Sequence, residues 1–364
     1  MIARVMRVKD LAKILRDEIE SSNLPADAPI MSARELAGKH GTSALTANRA
    51  LCVLVEEGLL YRVRGSGSFV SGNEVKTHKR LRIGIAFPIP EGDRESLEVA
   101  FEVYPKKISE KLHFLGHETI NLSYYDMQDH KYVREYVSKL DGLIVSHGCI
   151  DGKTFPLLEK ANSNIVAVQN EEVSHYSCHQ VVPDLRTGFR DALLHLMERD
   201  CAKIYIASCN PEGHHKYRIK VIYKIAEEIG IPAEKIELIA SKRPLGDLGR
   251  MSGQKMGREL IGKSRPLSIF SLSDFTSFGI IDVVLANKLK LGVDISLVSF
   301  DDLEGFGLLP FEKPIVSSIT NPKDKITSEA IKIMLSSIDR NDGLAHIVRV
   351  PTTFIPRKSS TGKD

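Results

Sequence analysis

The 364-residue sequence contains no tryptophan, only 6% aromatic residues and five cysteines. Cys52, Cys149, Cys178, Cys201 and Cys209 are odd in number and scattered. That spacing argues against a disulfide framework or a cysteine metal site and for a reducing compartment. No apolar run approaches the roughly 20 residues a membrane-crossing helix needs. The opening stretch, MIARVMRVKDLAKIL, has basic side chains but no uninterrupted apolar segment or small-residue cleavage site. The expectation is a cytoplasmic protein with no membrane partner. Enzyme signatures are missing as well: there is no G-x-S-x-G, H-E-x-x-H or P-loop. His214 and His215 are adjacent and would not face one metal from a helix. Asp301 and Asp302 would diverge at a strand end rather than act as an acid pair. The chain therefore reads as a non-enzyme that needs no cofactor and no metal.

What is present is unevenly placed. Hydrophobic content of 42% and charged content of 27% are ordinary for a globular protein, and the net charge is only +3. Within residues 1–80, however, thirteen Lys and Arg stand against nine acids, an excess of +4, while the other 284 residues carry −1. Positive charge concentrated in one short segment suits a phosphate-binding surface.

That segment is patterned. Val8, Leu11, Ile14, Leu15 and Ile19 share one helical face, and Pro25 and Pro29 follow in a loop. Ser32 with Glu35 forms a capping box, Gly41 breaks the helix, and Ser43 caps the next. Ala47, Ala50, Leu51, Leu54 and Val55 continue at helical spacing until Gly58. Leu59–Val63 and Ser68–Ser71 read as two strands around the tip Arg64-Gly65-Ser66-Gly67. Helix, turn, helix and a basic hairpin make a winged module that reads DNA.

Three blocks carry a family likeness. They are Ser32-Ala33-Arg34-Glu35-Leu36-Ala37, Ser43-Ala44-Leu45-Thr46-Ala47-Asn48-Arg49-Ala50-Leu51 and Gly65-Ser66-Gly67-Ser68-Phe69-Val70. In order and spacing they resemble the winged helix-turn-helix of the GntR family. The resemblance implies DNA contacts by Ser32, Arg34, Ser43, Ala44, Thr46, Asn48 and Arg49. Arg34 would reach backbone or a base edge, and Thr46 a phosphate. Arg64, Gly65, Ser66 and Gly67 would bring the wing to the minor groove. Ala44 and Asn48 stand where the family often has arginine. Arginine reads guanine, whereas asparagine suits adenine, so Asn48 is expected to read a base in an operator of its own.

Residues 73–80 are polar and aperiodic and read as a linker between a reader (1–72) and a body (81–364). From Leu81 on, strand candidates alternate with helical patterns. The strands are the LRIGIAFPI run, Thr119–Leu122, Gly142–Val145, Ile165–Val168, Lys203–Ala207, Ser268–Ser271 and Leu297–Phe300. The helices include Tyr104–Leu115, Thr187–Met197, Lys216–Ile229, Gly253–Ile261 and Ser277–Leu289. This alternation implies an α/β body of two doubly wound, parallel-sheet lobes. Ligands in such folds gather at the carboxyl ends of strands. Those ends hold Glu91 and Asp93, Ser146 and His147, Gln169 and Asn170, Arg218, Asp274 and Asp301. Such a mixture of donors and acceptors suits a polyhydroxylated ligand.

A second likeness rests on Asp184-Leu185-Arg186-Thr187-Gly188 with His195-Leu196, on Asp294-Ile295-Ser296-Leu297-Val298-Ser299-Phe300-Asp301-Asp302, and on Ile355-Pro356-Arg357-Lys358-Ser359. These resemble the effector domain of LacI/GalR repressors, a type I periplasmic-binding-protein-like fold. A GntR-type reader on that body is the arrangement of the arabinose-repressor (AraR) group. The resemblance implies effector contacts by Arg218, Asp274 and Asp301. Leu248 lies where an aromatic commonly stacks on a sugar, and Ser273-Asp274 replaces Asn-Asp. Phe275, Phe87, Tyr176 and Tyr217 could supply a stacking face instead. The expected protein is a homodimeric repressor that binds double-stranded operator DNA under control of a small polar ligand, a sugar by resemblance. The alternatives are a regulator with a degenerate pocket and a cytosolic binding protein without a DNA role.

Overall fold

The computed structural model describes residues 7–22, 24–25, 27–63, 67–71, 80–88, 96, 98–146, 148–168, 170–173, 175–199, 201–340 and 344–363. The chain divides into two compact units, Met1–Lys79 and Arg80–Asp364. The expected linker, apart from Arg80, lies outside the described residues, as does the wing tip Arg64, Gly65 and Ser66.

Among its described residues the first unit has three helices, α1 (Val8–Ser21), α2 (Ala33–Lys39) and α3 (Ala44–Glu56), and three strands, β1 (Pro29–Ile30), β2 (Leu60–Val63) and β3 (Gly67–Val70). Leu11, Ala12, Leu15 and Ile19 of α1 are buried, as are Ala47, Ala50, Leu51 and Leu54 of α3. The apolar stripes thus supply the core that a module this small needs. The sheet runs β1-β3-β2 and is antiparallel throughout. The short strand β1 carries Pro29 at its first position, where a proline is tolerated on a sheet edge. No sequence signal singled it out.

The second unit has two lobes, each a six-stranded sheet. The first lobe contains β4 (Arg82–Ala86), β5 (Glu118–Asn121), β6 (Gly142–Ser146), β7 (Ile165–Val168), β8 (His179–Asp184) and the late strand β14 (Ile347–Pro351). Its order is β14-β8-β7-β6-β4-β5, all parallel. The second lobe contains β9 (Ile204–Ser208), β10 (Ile236–Ala240), β11 (Leu267–Ser271), β12 (Ile295–Asp301), β13 (Ser317–Thr320) and β15 (Thr353–Ile355). Its order is β10-β9-β11-β12-β13-β15, with only the last pairing antiparallel.

Both faces of each sheet are covered. Along β11 and β12, Ile269 and Leu297 enter one core while Phe270, Val298 and Phe300 enter the opposite one. In the first lobe Ile83, Ile85 and Ile144 point to one side, and Leu143, Val145 and Ile165 to the other. Alternate residues of a strand face opposite ways, so strands buried on both sides read as continuous apolar runs.

Two helices of the second lobe, Arg250–Leu260 and Asp274–Ala286, approach backbone to backbone. A methyl group on Gly279 would overlap the Arg250 carbonyl and lie 2.7 Å from the Gln254 nitrogen. Glycine is required there by space.

The chain crosses between lobes three times, after β8, after β13 and between β14 and β15. The first and last crossings touch: Thr352 donates from its backbone nitrogen (3.1 Å) and from Oγ1 (2.8 Å) to the Asp184 carbonyl.

Candidate functional site

In the first unit the two helix starts are built by side-chain caps. Glu35 N donates to Ser32 Oγ (3.3 Å) and Ser32 N to Glu35 Oε2 (2.7 Å). Hydrogen bonds from Ser32 to the carboxyl, its backbone N–H first, hold Glu35 below its usual range. Thr46 N donates to Ser43 Oγ (3.0 Å), and the two hydroxyls are 2.8 Å apart. Ser32, Ser43 and Thr46 thus use polar atoms to start α2 and α3. Arg34 and Arg49 are exposed and make no hydrogen bond or ion pair among the described residues. Ala44 is exposed at the first position of α3, and Leu45 beside it is 60% exposed. Gly67 opens β3 with φ 118°, a conformation that favours glycine.

Asn48 is half-buried and does not stand free. Arg62 of β2 donates from Nη2 to the Asn48 side-chain oxygen (2.9 Å) and to its backbone carbonyl (3.4 Å). A second feature absent from the sequence reading is the pair Arg16–Glu57. It has Nη2–Oε1 at 2.8 Å and Nε–Oε2 at 3.3 Å, and joins α1 to the end of α3. The 41-residue separation gives it no local signal.

In the second unit Arg218 and Asp301 meet. The buried Arg218 donates from Nη1 to the Leu272 carbonyl (2.6 Å). Its guanidinium carbon lies 4.1 Å from the Phe300 ring centre, and Nη2 lies 3.7 Å from Asp301 Oδ1. Burial pulls the guanidinium below its usual value, against the pull of Asp301. Asp301 ends β12 with φ 112°. Burial raises its carboxyl, opposed by Arg218 and Lys323.

Lys323 is only 2% exposed, with Nζ 3.4 Å from the Ala100 carbonyl and 4.7 Å from the Phe306 ring centre. Burial lowers its ammonium to about 8, against Asp301 and Asp274. From the first lobe Tyr104 donates its hydroxyl to Asn321 Oδ1 (3.2 Å), and burial raises that phenol. Neither Lys323 nor Tyr104 was singled out in sequence, because a lone lysine after a proline and a tyrosine at a helix start resemble many surface residues.

Asp274 has a different setting. It is fully buried, accepting from Leu303 N at Oδ2 (2.6 Å) and from Ser318 Oγ at Oδ1 (2.9 Å). Burial first, and the Asp301 charge second, push it up to about 7. It fastens the start of its own helix to the loop after β12.

Leu248 and Phe275 line a cavity of about 160 Å³ with Ser96, Asp247 and Leu308. Ser146 ends β6 and is buried, and Asn170 follows β7 half-buried. Glu91, Asp93, His147 and Gln169 lie outside the described residues. Of the other aromatics, Phe87 stacks on Tyr104 at 5.8 Å and Tyr176 on Phe155 at 4.3 Å.

His215 is fully buried with Nδ1 3.0 Å from Ser208 Oγ, and burial keeps its imidazole well below the usual value. Among the described residues no group of three His, Cys, Asp or Glu could hold a metal. Nor is any described helix long and apolar enough to cross a membrane.

Comparison with known proteins matches both parts of the chain. Residues 7–70 match the gntR family of bacterial regulatory proteins, and residues 193–360 match a periplasmic binding protein-like domain. The HTH-type transcriptional repressor NagR of Bacillus subtilis is 47% identical over 57 residues, 16% of this chain and 24% of NagR. The chain thus spans about a quarter of that relative. The HTH-type transcriptional repressor PurR of Photobacterium profundum is 22% identical over 231 residues, 63% of this chain and 67% of PurR.

Among solved structures, a LacI family transcriptional regulator from Enterococcus faecium with bound ribose gives a TM-score of 0.61 at 18% identity. It covers 78% of this chain and 100% of that one. The lac repressor dimer bound to operator and the anti-inducer ONPF gives 0.60 at 15% identity, over 79% and 96%. At these identities the likeness concerns the fold.

Proposed function

We propose that this chain, in which a gntR-family domain at 7–70 joins a body ending in a periplasmic binding protein-like domain at 193–360, is a ligand-controlled transcriptional repressor. The observation that carries the reading is a pair of exposed guanidiniums, Arg34 and Arg49, without partners among the described residues of the winged unit. Paired cations such as Arg16 brace a fold, whereas unpaired ones are available to phosphates.

Ser32, Ser43 and Thr46 fix the helix starts and would meet the phosphate backbone of the operator through their hydroxyls. Ala44, Asn48 and Arg49 face the major groove, and Arg64, Gly65, Ser66 and Gly67 approach the minor groove. Two copies of the chain would read paired half-sites with two-fold symmetry.

The effector site is the cleft at the carboxyl ends of the strands. Arg218, Asp301 and the Tyr104 hydroxyl would supply donors and acceptors to a small polyol, with Leu248 and Phe275 against its apolar face. Glu91, Asp93, Ser146, His147, Gln169, Asn170 and Asp274 are the other candidates, Asp274 through the helix it anchors. Leu248 and Phe275 also line the cavity of about 160 Å³, and a ligand held there would favour one arrangement of the two lobes over another. The ligand acts by its difference in affinity between the two arrangements. A hundredfold change in operator affinity corresponds to about 2.7 kcal/mol.

The test uses the full chain in a mobility shift against DNA from upstream of its own gene, then a panel of mono- and disaccharides. Specific retardation that one sugar releases is the expected result. Retardation that competes equally with random DNA would overturn the operator reading. Release by none of the panel would overturn the sugar reading alone.

A further inference from the structure

Leu45 is the second residue of α3 and is 60% exposed, more than any other large hydrophobic among the described residues of the winged unit. The core of that unit does not use it. Ala47, Ala50, Leu51 and Leu54 form the buried stripe of α3, and at helical spacing Leu45 projects roughly opposite to them. Between Ser43 and Arg49 the family resemblance gave no contact to Leu45 or Ala47. Of these two, Ala47 is buried and Leu45 is not.

Its neighbours indicate what covers it. Ala44, beside it, is exposed and apolar, so the tip of α3 presents two side chains with no donor or acceptor. Arg49 lies four residues on, one turn along the same side, exposed and without a hydrogen bond or ion pair among the described residues. Residues 1–80 carry an excess charge of +4. An apolar tip flanked by cations complements a polyanion that has an apolar group within reach of its backbone.

The major groove of DNA has one such group. Guanine shows N7 and O6 there, adenine N7 and N6, and cytosine N4, whereas thymine alone shows an alkyl group, its C5 methyl. A leucine pressed against any of the first three strips water from a donor or acceptor and offers nothing in return. Against the methyl, both partners remove apolar surface from water.

We infer that Leu45 selects thymine in each half-site of the operator by packing on its C5 methyl. The inference rests on the DNA-reading function proposed above and adds to it a residue that chooses a base without a hydrogen bond.

The test compares thymine with uracil, which keeps every hydrogen-bonding atom and lacks only the methyl. Binding sites are first selected from randomised double-stranded DNA with the full-length chain. Each thymine of the selected site is then replaced singly by deoxyuridine, and affinity is measured for the parent, Leu45→Ala and Leu45→Met. Leu45 lies outside the core, and thermal melting checks that each variant folds. At one thymine per half-site the replacement should weaken the parent about fourfold, the effect of one buried methyl. Leu45→Ala should reduce that ratio to below about twofold, because its side chain stops short of the base. Leu45→Met, still apolar and of similar length, should keep most of it.

A selected site without thymine would overturn the inference, as would uracil effects that are the same in the parent and Leu45→Ala at every position. In those cases an enriched motif still stands and DNA reading with it. A parent chain that enriches no motif overturns both readings.

Discussion

Arg218 Nη2 stands 3.7 Å from Asp301 Oδ1 at the carboxyl end of β12, where Arg218 is buried and Asp301 half-buried. Removing Arg218 leaves Lys323 as the cation acting on Asp301, so the cost should fall below the roughly 3–5 kcal/mol of a fully buried pair broken from one side. Arg218→Met should therefore lower the thermal midpoint of the body clearly and abolish ligand binding. The combined change Arg218→Met with Asp301→Asn should recover much of the stability and none of the binding. Differential scanning calorimetry beside titration calorimetry separates the two effects.

Asp274 gives a pH dependence of definite sign. Its folded carboxyl titrates at about 7, far above the 3.8 of an unperturbed aspartate, because it is buried beside Asp301. Between those values the unfolded chain releases a proton that the folded chain retains. Stability from this group therefore falls as pH rises from about 4 to about 7 and is level above that. Asp274→Asn can still accept from Leu303 N while donating to Ser318 Oγ. Melting curves across that range should show a smaller decline in the variant than in the parent chain.

Gly279→Ala places a methyl group against the Arg250 carbonyl and the Gln254 nitrogen, atoms of a packed helix that cannot rotate aside. Overpacking of this kind costs about 1–3 kcal/mol. A denaturant titration of the variant should show a lower midpoint, with DNA binding retained at temperatures where the body remains folded.

Arg34→Ala and Arg49→Ala should each weaken operator binding and reduce the slope of log affinity against log salt by about one. Such a change in slope marks a phosphate contact. A loss of affinity with unchanged slope and relaxed base preference would instead assign that arginine to a base edge.

The fold was legible where periodicity and caps are local. The capping box at Ser32 and Glu35 forms as expected. Ser43 caps α3, and the runs around Ile83, Leu143, Ile165, Ile269 and Leu297 are strands. Of the body strands that escaped, two are explained by their composition. His179–Asp184 contains a proline and three polar or charged residues, and Ser317–Thr320 is three-quarters hydroxylic.

The site was legible only in part, because its partners are distant in sequence. Arg218 and Asp301 could be named from strand ends, whereas the lysine and tyrosine beside them could not. Asp274 was named as a ligand group, and its carboxylate oxygens are instead held by protein donors. For Asn48 the residue type suggested a base contact but gave no sign that the side-chain oxygen accepts from Arg62 of β2. Residue type alone does not reveal which end of an amide a neighbour engages.

The late return of the chain to both lobes bears on how the protein is made. β14 completes the first sheet beside β8, and β15 completes the second beside β13. Ser359 then bridges Ser317 N and the Leu297 carbonyl at 2.8 and 2.7 Å. On a translating ribosome the winged unit has all its core side chains before the first strand of the body emerges. Both lobes, by contrast, keep an open sheet edge until residues 347–355 have been synthesised. Synthesis thus passes through a long interval in which the reader can fold and its regulator cannot, and those two unpaired edges are where a nascent chain most needs protection from its neighbours.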